Sequence, residues 1–299
     1  MQKIKIKAFT LIELLVVIVI IGILSALIII GMSSTTQKAT IAKAQVFSNS
    51  LRNSLMDDLV SDWKLDGNTN DSWGSVNGTN NGATLTSDCI SGQCYSFNGA
   101  AGAPQYVDLT TSTSLDTSSK TIGVWFNSVN GGEAHKTIVG RAHYNGPNDS
   151  EGYDLWLNSA NVIYATVGDG TANFINASQG SVVVPGKWFY AIMTHNASAT
   201  TNNLKLYING IMYDQKSVTG YTPFLHATAL GRQSSYDYYY FLGKIDEVRY
   251  YDAAIPISQI QQNYYVGLNK LYAKQNIDNA EYQQRIASLR QSVGVGEPN

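Results

Sequence analysis

The sequence predicts an α+β protein: a long N-terminal helix carrying an all-β sandwich head, with helices at the C-terminal end. Three observations predict it. From Phe9 to Ile30 the only charge is Glu13 and the only glycine is Gly22. From Ile41 to Leu55 the apolar residues Ile41, Ala44, Phe47, Leu51 and Leu55 recur at spacings of three and four, the period of a helix with one buried stripe. From Trp63 onward, short β-branched and aromatic runs alternate with Asn-Gly and Gly-rich turns, the texture of a sandwich.

The apolar run is long enough to cross a membrane. About 22 residues at 1.5 Å rise make a helix of roughly 33 Å, against a hydrocarbon core of about 30 Å. Lys3, Lys5 and Lys7 precede it, which places that end in the cytoplasm and the rest outside. A secretory signal peptide has an apolar part of only about 7–15 residues and a small-x-small cleavage site, neither of which fits. A plain anchor fits the length but leaves Glu13 unexplained, since a carboxylate within an apolar helix is costly. With no proline before Pro104, the helix is expected to continue to residue 58, residues 9–31 spanning the membrane.

Ala8-Phe9-Thr10-Leu11-Ile12-Glu13-Leu14-Leu15-Val16-Val17-Ile18 resembles the N-terminal signature of type IV pilins and pseudopilins. The resemblance implies an eight-residue leader (1–8), cut before Phe9 by a prepilin peptidase that methylates the new amine. It also implies that Glu13 pairs with that amine between subunits during filament assembly. The family usually has glycine at the position of Ala8 and often a proline late in the apolar run, which this chain lacks.

The strands expected in the head are Gln105–Leu109, Lys120–Phe126, Thr137–Arg141, Tyr153–Asn158, Val162–Val167, Trp188–His195, Leu204–Ile208, Ile211–Ser217 and Leu242–Tyr250. Asn209-Gly210 marks a hairpin, because a type I′ turn needs positive φ at both central residues, and Asp169-Gly170 reads as a second such turn. Ser258 is placed to cap a helix that carries Ile260, Tyr264, Leu268, Leu271 and Tyr272 on one side. A further helix spans Ala280 to Ser292, and Gly294 to Asn299 form a tail.

The pieces Trp63-Lys64-Leu65-Asp66-Gly67-Asn68-Thr69-Asn70-Asp71-Ser72, Tyr95-Ser96-Phe97-Asn98-Gly99, Tyr106-Val107-Asp108-Leu109, Thr121-Ile122-Gly123-Val124-Trp125-Phe126, Gly186-Lys187-Trp188-Phe189-Tyr190, Leu206-Tyr207-Ile208-Asn209-Gly210 and Gly243-Lys244-Ile245-Asp246-Glu247-Val248-Arg249-Tyr250-Tyr251 follow one another in order. This succession is similar to the laminin G-like, concanavalin A-like lectin/glucanase domains. It implies a jelly-roll head over residues 62–266, followed by a helical extension and tail at 267–299. It also implies a calcium site in the opening loop, held by Asp66, Asn68, Asn70 and Asp71 with Asp246 from the later strand. Oxygen atoms crowded in one loop suit a hard cation. The same residues are equally suited to Asx turns that satisfy their own backbone.

Composition narrows the function. A net charge of -2 over 299 residues lacks the basic footprint of a nucleic-acid binder. The two cysteines, Cys89 and Cys94, are too few for a metal centre; outside the cell they read as a local disulfide, stabilising by roughly 2 kcal/mol on loop entropy. Glucanases on the related fold use Glu-x-Asp-x-x-Glu on one strand face. Here the nearest carboxylates are Glu151 with Asp154 and the adjacent Asp246 and Glu247, which strict alternation would send to opposite faces. His135, His143, His195 and His226 show no ligand spacing. No enzyme is predicted. Tyr236, Tyr238 and Tyr240 offer contact area for a glycan or protein ligand, or simply pack the sandwich.

The expected function is therefore a subunit of a type IV pilus or pseudopilus-like filament, held in the inner membrane before assembly and on the cell surface after it. It would partner with copies of itself or other pilins. The rivals are a membrane-anchored lectin that never assembles and a glycoside hydrolase on the same fold.

Overall fold

The computed structural model describes residues 58–294, except 142, 145–149, 172, 181–182, 222, 224 and 235–237. The expectations for the leader, Ala8, Phe9, Glu13 and the N-terminal helix lie outside the described residues, as do those for Tyr236 and the tail from residue 295. No described helix is long and apolar enough to cross a membrane.

In chain order the strands are β1 (Leu59–Trp63), β2 (Thr79–Asn81), β3 (Thr84–Thr86), β4 (Cys94–Asn98), β5 (Tyr106–Thr111), β6 (Lys120–Ser128), β7 (His135–Gly140), β8 (His143–Tyr144) and β9 (Ser150–Glu151). They continue as β10 (Tyr153–Asn158), β11 (Ile163–Gly168), β12 (Phe174–Gln179), β13 (Trp188–His195), β14 (Leu204–Ile208), β15 (Ile211–Lys216), β16 (Ala227–Leu230) and β17 (Leu242–Tyr251), followed by helices α1 (Ile257–Ala273) and α2 (Asn279–Gly294). The first sheet runs β15-β14-β13-β6-β17-β4-β3, with β1 also paired to β17. The second runs β12-β11-β10-β7-β16-β5-β2, and β8 pairs β9 apart from both. Their pairing is antiparallel throughout, giving a jelly-roll sandwich with two C-terminal helices.

Every strand the sequence predicts is present to within two residues at its ends. Strands such as β1, β12 and β16 escape a reading by pattern, because they are short or carry polar residues over much of their length. Asn209 and Gly210 have φ of 52° and 79°, as a type I′ hairpin requires. Asp169-Gly170 is not such a turn. Gly168 pairs with Phe174 across a longer loop, and Asp169 Oδ1 accepts the Thr171 N–H (2.9 Å) and hydroxyl (2.7 Å), so the aspartate holds an Asx turn instead. Ser258 does not cap α1 either. Pro256 occupies the N-cap position, and its carbonyl takes the Gln259 and Ile260 N–H groups. Asp278 Oδ1 caps α2 through the Glu281 N–H (2.8 Å).

Between the sheets lies one apolar core, built from alternate residues such as Tyr153, Leu155 and Leu157 of β10 and Ile163, Ala165 and Val167 of β11. A second core lies on the outer side of the first sheet, where Trp125, Tyr190, Ile192, Tyr207 and Tyr251 meet Ile260, Tyr264, Leu268 and Leu271 of α1 and Ile286 of α2. β6 and β13 are buried at every position because they are covered on both faces. Trp125, Tyr190 and Tyr264 form a cluster of near-parallel rings, with centroids 5.1 Å (Trp125–Tyr190), 5.6 Å (Trp125–Tyr264) and 6.5 Å (Tyr190–Tyr264) apart, and Gly267 lets α1 approach Trp125. An ion chain adds to this joint: Asp62–Arg249 (3.2 Å), Arg249–Glu247 (3.1 Å) and Glu247–Lys270 (2.6 Å) run from β1 through β17 to α1.

At the end of the sandwich formed by Ser118 and Ser119, His195 is 1 % exposed and donates from Nδ1 to the Ser118 carbonyl (2.9 Å). The buried Lys120 lies over the Tyr221 ring at 3.6 Å. Burial first, and Lys120 second, push His195 down to about 4. A base whose folded value is lowered binds its proton preferentially when unfolded, so it removes stability as pH falls from about 6.5 towards 4. Urea unfolding across that window should show a loss approaching about 3 kcal/mol from this group, and His195→Gln should flatten the slope. An unchanged slope in the variant would show that His195 does not carry the acid sensitivity.

Gly267 supplies a second test. In an exposed helix, glycine to alanine gains about 1 kcal/mol. Here a Cβ would sit 2.3 Å from the Trp125 ring, so overpacking, typically about 1–3 kcal/mol, is expected to win. Gly267→Ala should lower the urea midpoint, and a raised midpoint would mean that α1 can shift freely on the sheet.

Candidate functional site

The helices cover the outer side of the first sheet, which leaves the outer side of the second as the broad face not packed beneath them. Residues of opposite parity to the core point there: Asp154, Trp156 and Asn158 of β10, Tyr164 and Thr166 of β11, and His135 and Thr137 of β7. Antiparallel register sets Trp156 against Tyr164 and against Thr137. The result is a ladder of stacked rings. Tyr164 and Trp156 stack at 4.2 Å, Trp156 and His135 at 3.7 Å, and His135 and Tyr239 at 4.2 Å, all within 23° of parallel. All four rungs are partly exposed. Tyr238, 41 % exposed, meets Tyr239 edge-on.

Polar groups pin the ladder from beneath. Asp154, 1 % exposed, has Oδ2 at 3.1 Å from His135 Nε2 and accepts the Thr137 hydroxyl (3.4 Å). The Trp156 indole N–H donates to Thr166 (2.8 Å), whose hydroxyl donates to Asn176. Tyr239 has φ of 67°, and its N–H is held by Glu133. Burial raises the Asp154 carboxyl, while the hydrogen bonds from His135 and Thr137 act in the opposite direction.

The tyrosine run is thus divided by the fold. Tyr240 is buried, Tyr238 is exposed, and Tyr239 is the rung between loop and sheet. Sequence reading missed Trp156, Tyr164 and the His135–Asp154 pair. Parity within Tyr153–Asn158 and Val162–Val167 already turns Trp156 and Tyr164 outward. Their meeting depends on strand register, which no local pattern contains.

A second cluster surrounds the disulfide. Cys89 and Cys94 are bonded, with Cα atoms 5.6 Å apart. Asp246 Oδ2 accepts the N–H groups of Ile90 (2.8 Å) and Ser91 (3.2 Å) within the bridged loop, and Asp66 Oδ1 accepts that of Gln93 (2.8 Å). The end of α1 reaches the same loop, with Lys274 Nζ donating to the Gly92 carbonyl (3.0 Å) and Asn276 to that of Cys89 (2.8 Å). Asp246 and Glu247 do not point to opposite faces. A bulge with φ of 47° at Glu247 turns both carboxylates to the outer, helix-covered side of the first sheet. Burial, then the charges of Glu247 and Asp66, push Asp246 well above the usual carboxylate range. Burial also acts to raise Glu247, but Arg249 and Lys270 hold it low.

The opening-loop residues fall into two groups. Asp71 gives Oδ1 to the N–H groups of Asp62 (3.0 Å), Trp73 (3.0 Å) and Gly74 (2.9 Å), and Oδ2 to that of Val76 (3.1 Å). Burial works to raise its carboxyl, and these N–H groups together hold it below the ordinary value. Asn68 Oδ1 takes the Asn70 N–H (2.9 Å) in an Asx turn. Asp71 and Asn68 therefore spend their oxygens on backbone. Asp246 does the same, with Oδ1 accepting the Glu247 N–H (2.9 Å) and Oδ2 those of Ile90 and Ser91, while Asp66 and Asp246 converge on one loop and repel each other. Sγ of Cys89 and Cys94 lie near Asp246 as well, but they are bonded to each other and offer no thiolate.

The fold has relatives among solved structures. Domain 4 of a GH43 extracellular arabinanase from Geobacillus stearothermophilus, solved with arabinotriose, is 19% identical, with 68% of this chain and 97% of that one aligned at a TM-score of 0.51. The binding domain of Paraclostridial Mosquitocidal Protein 1 is 17% identical, with 72% and 53% aligned at 0.58. A structure of botulinum neurotoxin type C, whose cell entry depends on two ganglioside molecules, is 16% identical, with 72% and 52% aligned at 0.56. The chain thus spans about half the length of the two toxin structures. At these identities the likeness is one of fold. No curated protein matches the chain. Two family models do match. The prokaryotic N-terminal methylation motif fits residues 4–29, and the concanavalin A-like lectin/glucanases superfamily fits residues 101–261. The latter is more than half of the 299 residues, so the chain belongs to the concanavalin A-like lectin/glucanases superfamily and carries a prokaryotic N-terminal methylation motif ahead of that domain.

Proposed function

We propose that this protein is a structural subunit of a type IV pilus or pseudopilus-like surface filament, and that its head binds carbohydrate along the second sheet. The observation that carries the reading is the pairing of a methylation motif with a lectin-type head whose second sheet, not packed under the described helices, bears an aromatic and polar ladder. In this reading prepilin peptidase removes residues 1–8, and the chain waits in the inner membrane with its head outside. It then joins copies of itself or other pilins through the helix that begins at Phe9. The solved relatives lend support, one holding arabinotriose and another depending on gangliosides. The head acts by binding and not by catalysis: Asp246 and Glu247 lie under the helices, and Asp154 is engaged with His135 and Thr137.

Assembly is tested at Phe9 and Glu13. Intact-mass analysis of membrane-extracted protein from the native host should give a chain that starts at Phe9 with a methylated amine. Glu13→Gln keeps the shape and removes the charge, so it should leave insertion, cleavage and head folding intact while abolishing incorporation into filaments. An uncut chain, or a cut chain that never enters filaments, would leave a membrane-anchored lectin as the correct description.

Calcium is a subsidiary part of the proposal, with Asp66 and Asp246 as its charged ligands. A bound cation stabilises the native state by mass action. The melting temperature should therefore be several degrees higher in millimolar calcium than in chelator, and Asp246→Asn should erase the difference. Identical melting in both solutions would mean that the loop needs no cation.

A further inference from the structure

We propose that His135 accepts a hydrogen bond from a hydroxyl of the bound carbohydrate, and that Asp154 is the positioning residue that holds it in the accepting form. The inference rests on the reading of the second sheet as a carbohydrate-binding face. It concerns how that face recognises its ligand.

Stacking geometry sets the first limit. The rungs Tyr164, Trp156, His135 and Tyr239 lie on one another at 3.7–4.2 Å, so the faces of the two inner rings are already occupied. A sugar cannot lie flat on Trp156 or His135, and recognition along the ladder falls to ring edges. Trp156 has given its one edge donor to Thr166. His135 has two edge nitrogens, and only one is engaged.

The engaged nitrogen is Nε2, at 3.1 Å from Asp154 Oδ2. An ionised carboxylate only accepts, so Nε2 carries the proton, and in the neutral ring Nδ1 is then a bare acceptor. The side chain of His135 is 21% exposed, and no described residue donates to Nδ1. Turning the ring over would keep the stack on Trp156 and Tyr239 but give up the contact of Nε2 with Asp154.

Asp154 is also unusual for a structural residue. Its Oδ1 is buried with no hydrogen-bond partner among the described residues, a costly arrangement. Gly140 makes room for it, since a Cβ there would stand 2.7 Å from Oδ1. The titratable groups packed on His135 are Asp154 from β10 and Tyr239 from the loop before β17, with Glu133 on the Tyr239 N–H. A bare Nδ1 selects a ligand that donates, a neutral sugar hydroxyl, and repels a carboxylate or phosphate.

The test uses the full chain in detergent, screened against an array of neutral oligosaccharides that includes arabinotriose. Affinities for arabinotriose and the tightest array binder then follow by calorimetry. His135→Phe keeps the stack and removes the acceptor, and should weaken binding about tenfold, the worth of one hydrogen bond. Asp154→Asn can donate to Nε2 as well as accept from it, so it should release the proton to Nδ1, weaken binding and move the ring's nitrogen-15 shifts. Nitrogen-15 shifts of the unliganded wild type should show the proton on Nε2. A proton on Nδ1, wild-type affinity in His135→Phe, or nitrogen-15 shifts unmoved by Asp154→Asn would each overturn the inference. If Trp156→Ala abolishes binding while the His135 and Asp154 variants behave as wild type, only this inference falls. If the wild type binds no oligosaccharide, the reading of the face falls with it.

Discussion

The packing of Trp125 against Gly267 is the contact on which the arrangement of the head depends. A tryptophan on the outer side of a central strand would normally be an exposed liability. Here Tyr190 and Tyr264 stack with it in one cluster of near-parallel rings, and the missing side chain of Gly267 lets α1 come down on it. Burying that cluster makes the first sheet a middle layer, apolar on both sides. No described helix covers the outer side of the second sheet.

Electrostatics reinforce the same joint. The bulge at Glu247 brings two neighbouring carboxylates to one side, which strict alternation would forbid. Each is then given a different task. Glu247 bridges Arg249 and Lys270 and so ties β17 to α1, while Asp246 takes N–H groups from the disulfide loop. Lys274 and Asn276 hold that loop from the helix side, so the Cys89–Cys94 clip, the opening loop and the C-terminal helices form one connected corner. A carboxylate pair that looks catalytic on paper is thereby placed under the helices.

On the opposite sheet the same kind of residue is used differently. Asp154 is as buried as Asp246, yet its partner is a partly exposed imidazole at the surface and not a backbone loop. Register decides this, because Asp154 lies opposite Gly140 and His135 reaches back over the strand from its first position. The ring ladder is rigid for the same reason. Each rung is fixed by a neighbour on another strand, and Tyr239 is fixed by a left-handed backbone conformation and Glu133.

Much of this was legible in the residues alone. Two-residue alternation located the long strands, Asn209-Gly210 identified its hairpin, and three-and-four spacing located α1, because these signals are local and each residue reports its own exposure. The proximity of Cys89 and Cys94 was legible for the same reason, five positions being too few to separate them. The Asp169 loop, the Pro256 cap and the Glu247 bulge were not legible, since each turns on hydrogen bonds or dihedrals that several local sequences satisfy equally well. The aromatic ladder lay furthest out of reach. Trp156, Tyr164, His135 and Tyr239 come from three strands and a loop spread over about a hundred residues, and only strand register sets them in one stack. Sequence by itself determined which residues face outward; the tertiary structure decided which outward faces are covered and which side chains meet there, because coverage and register are properties of the whole chain and not of any segment.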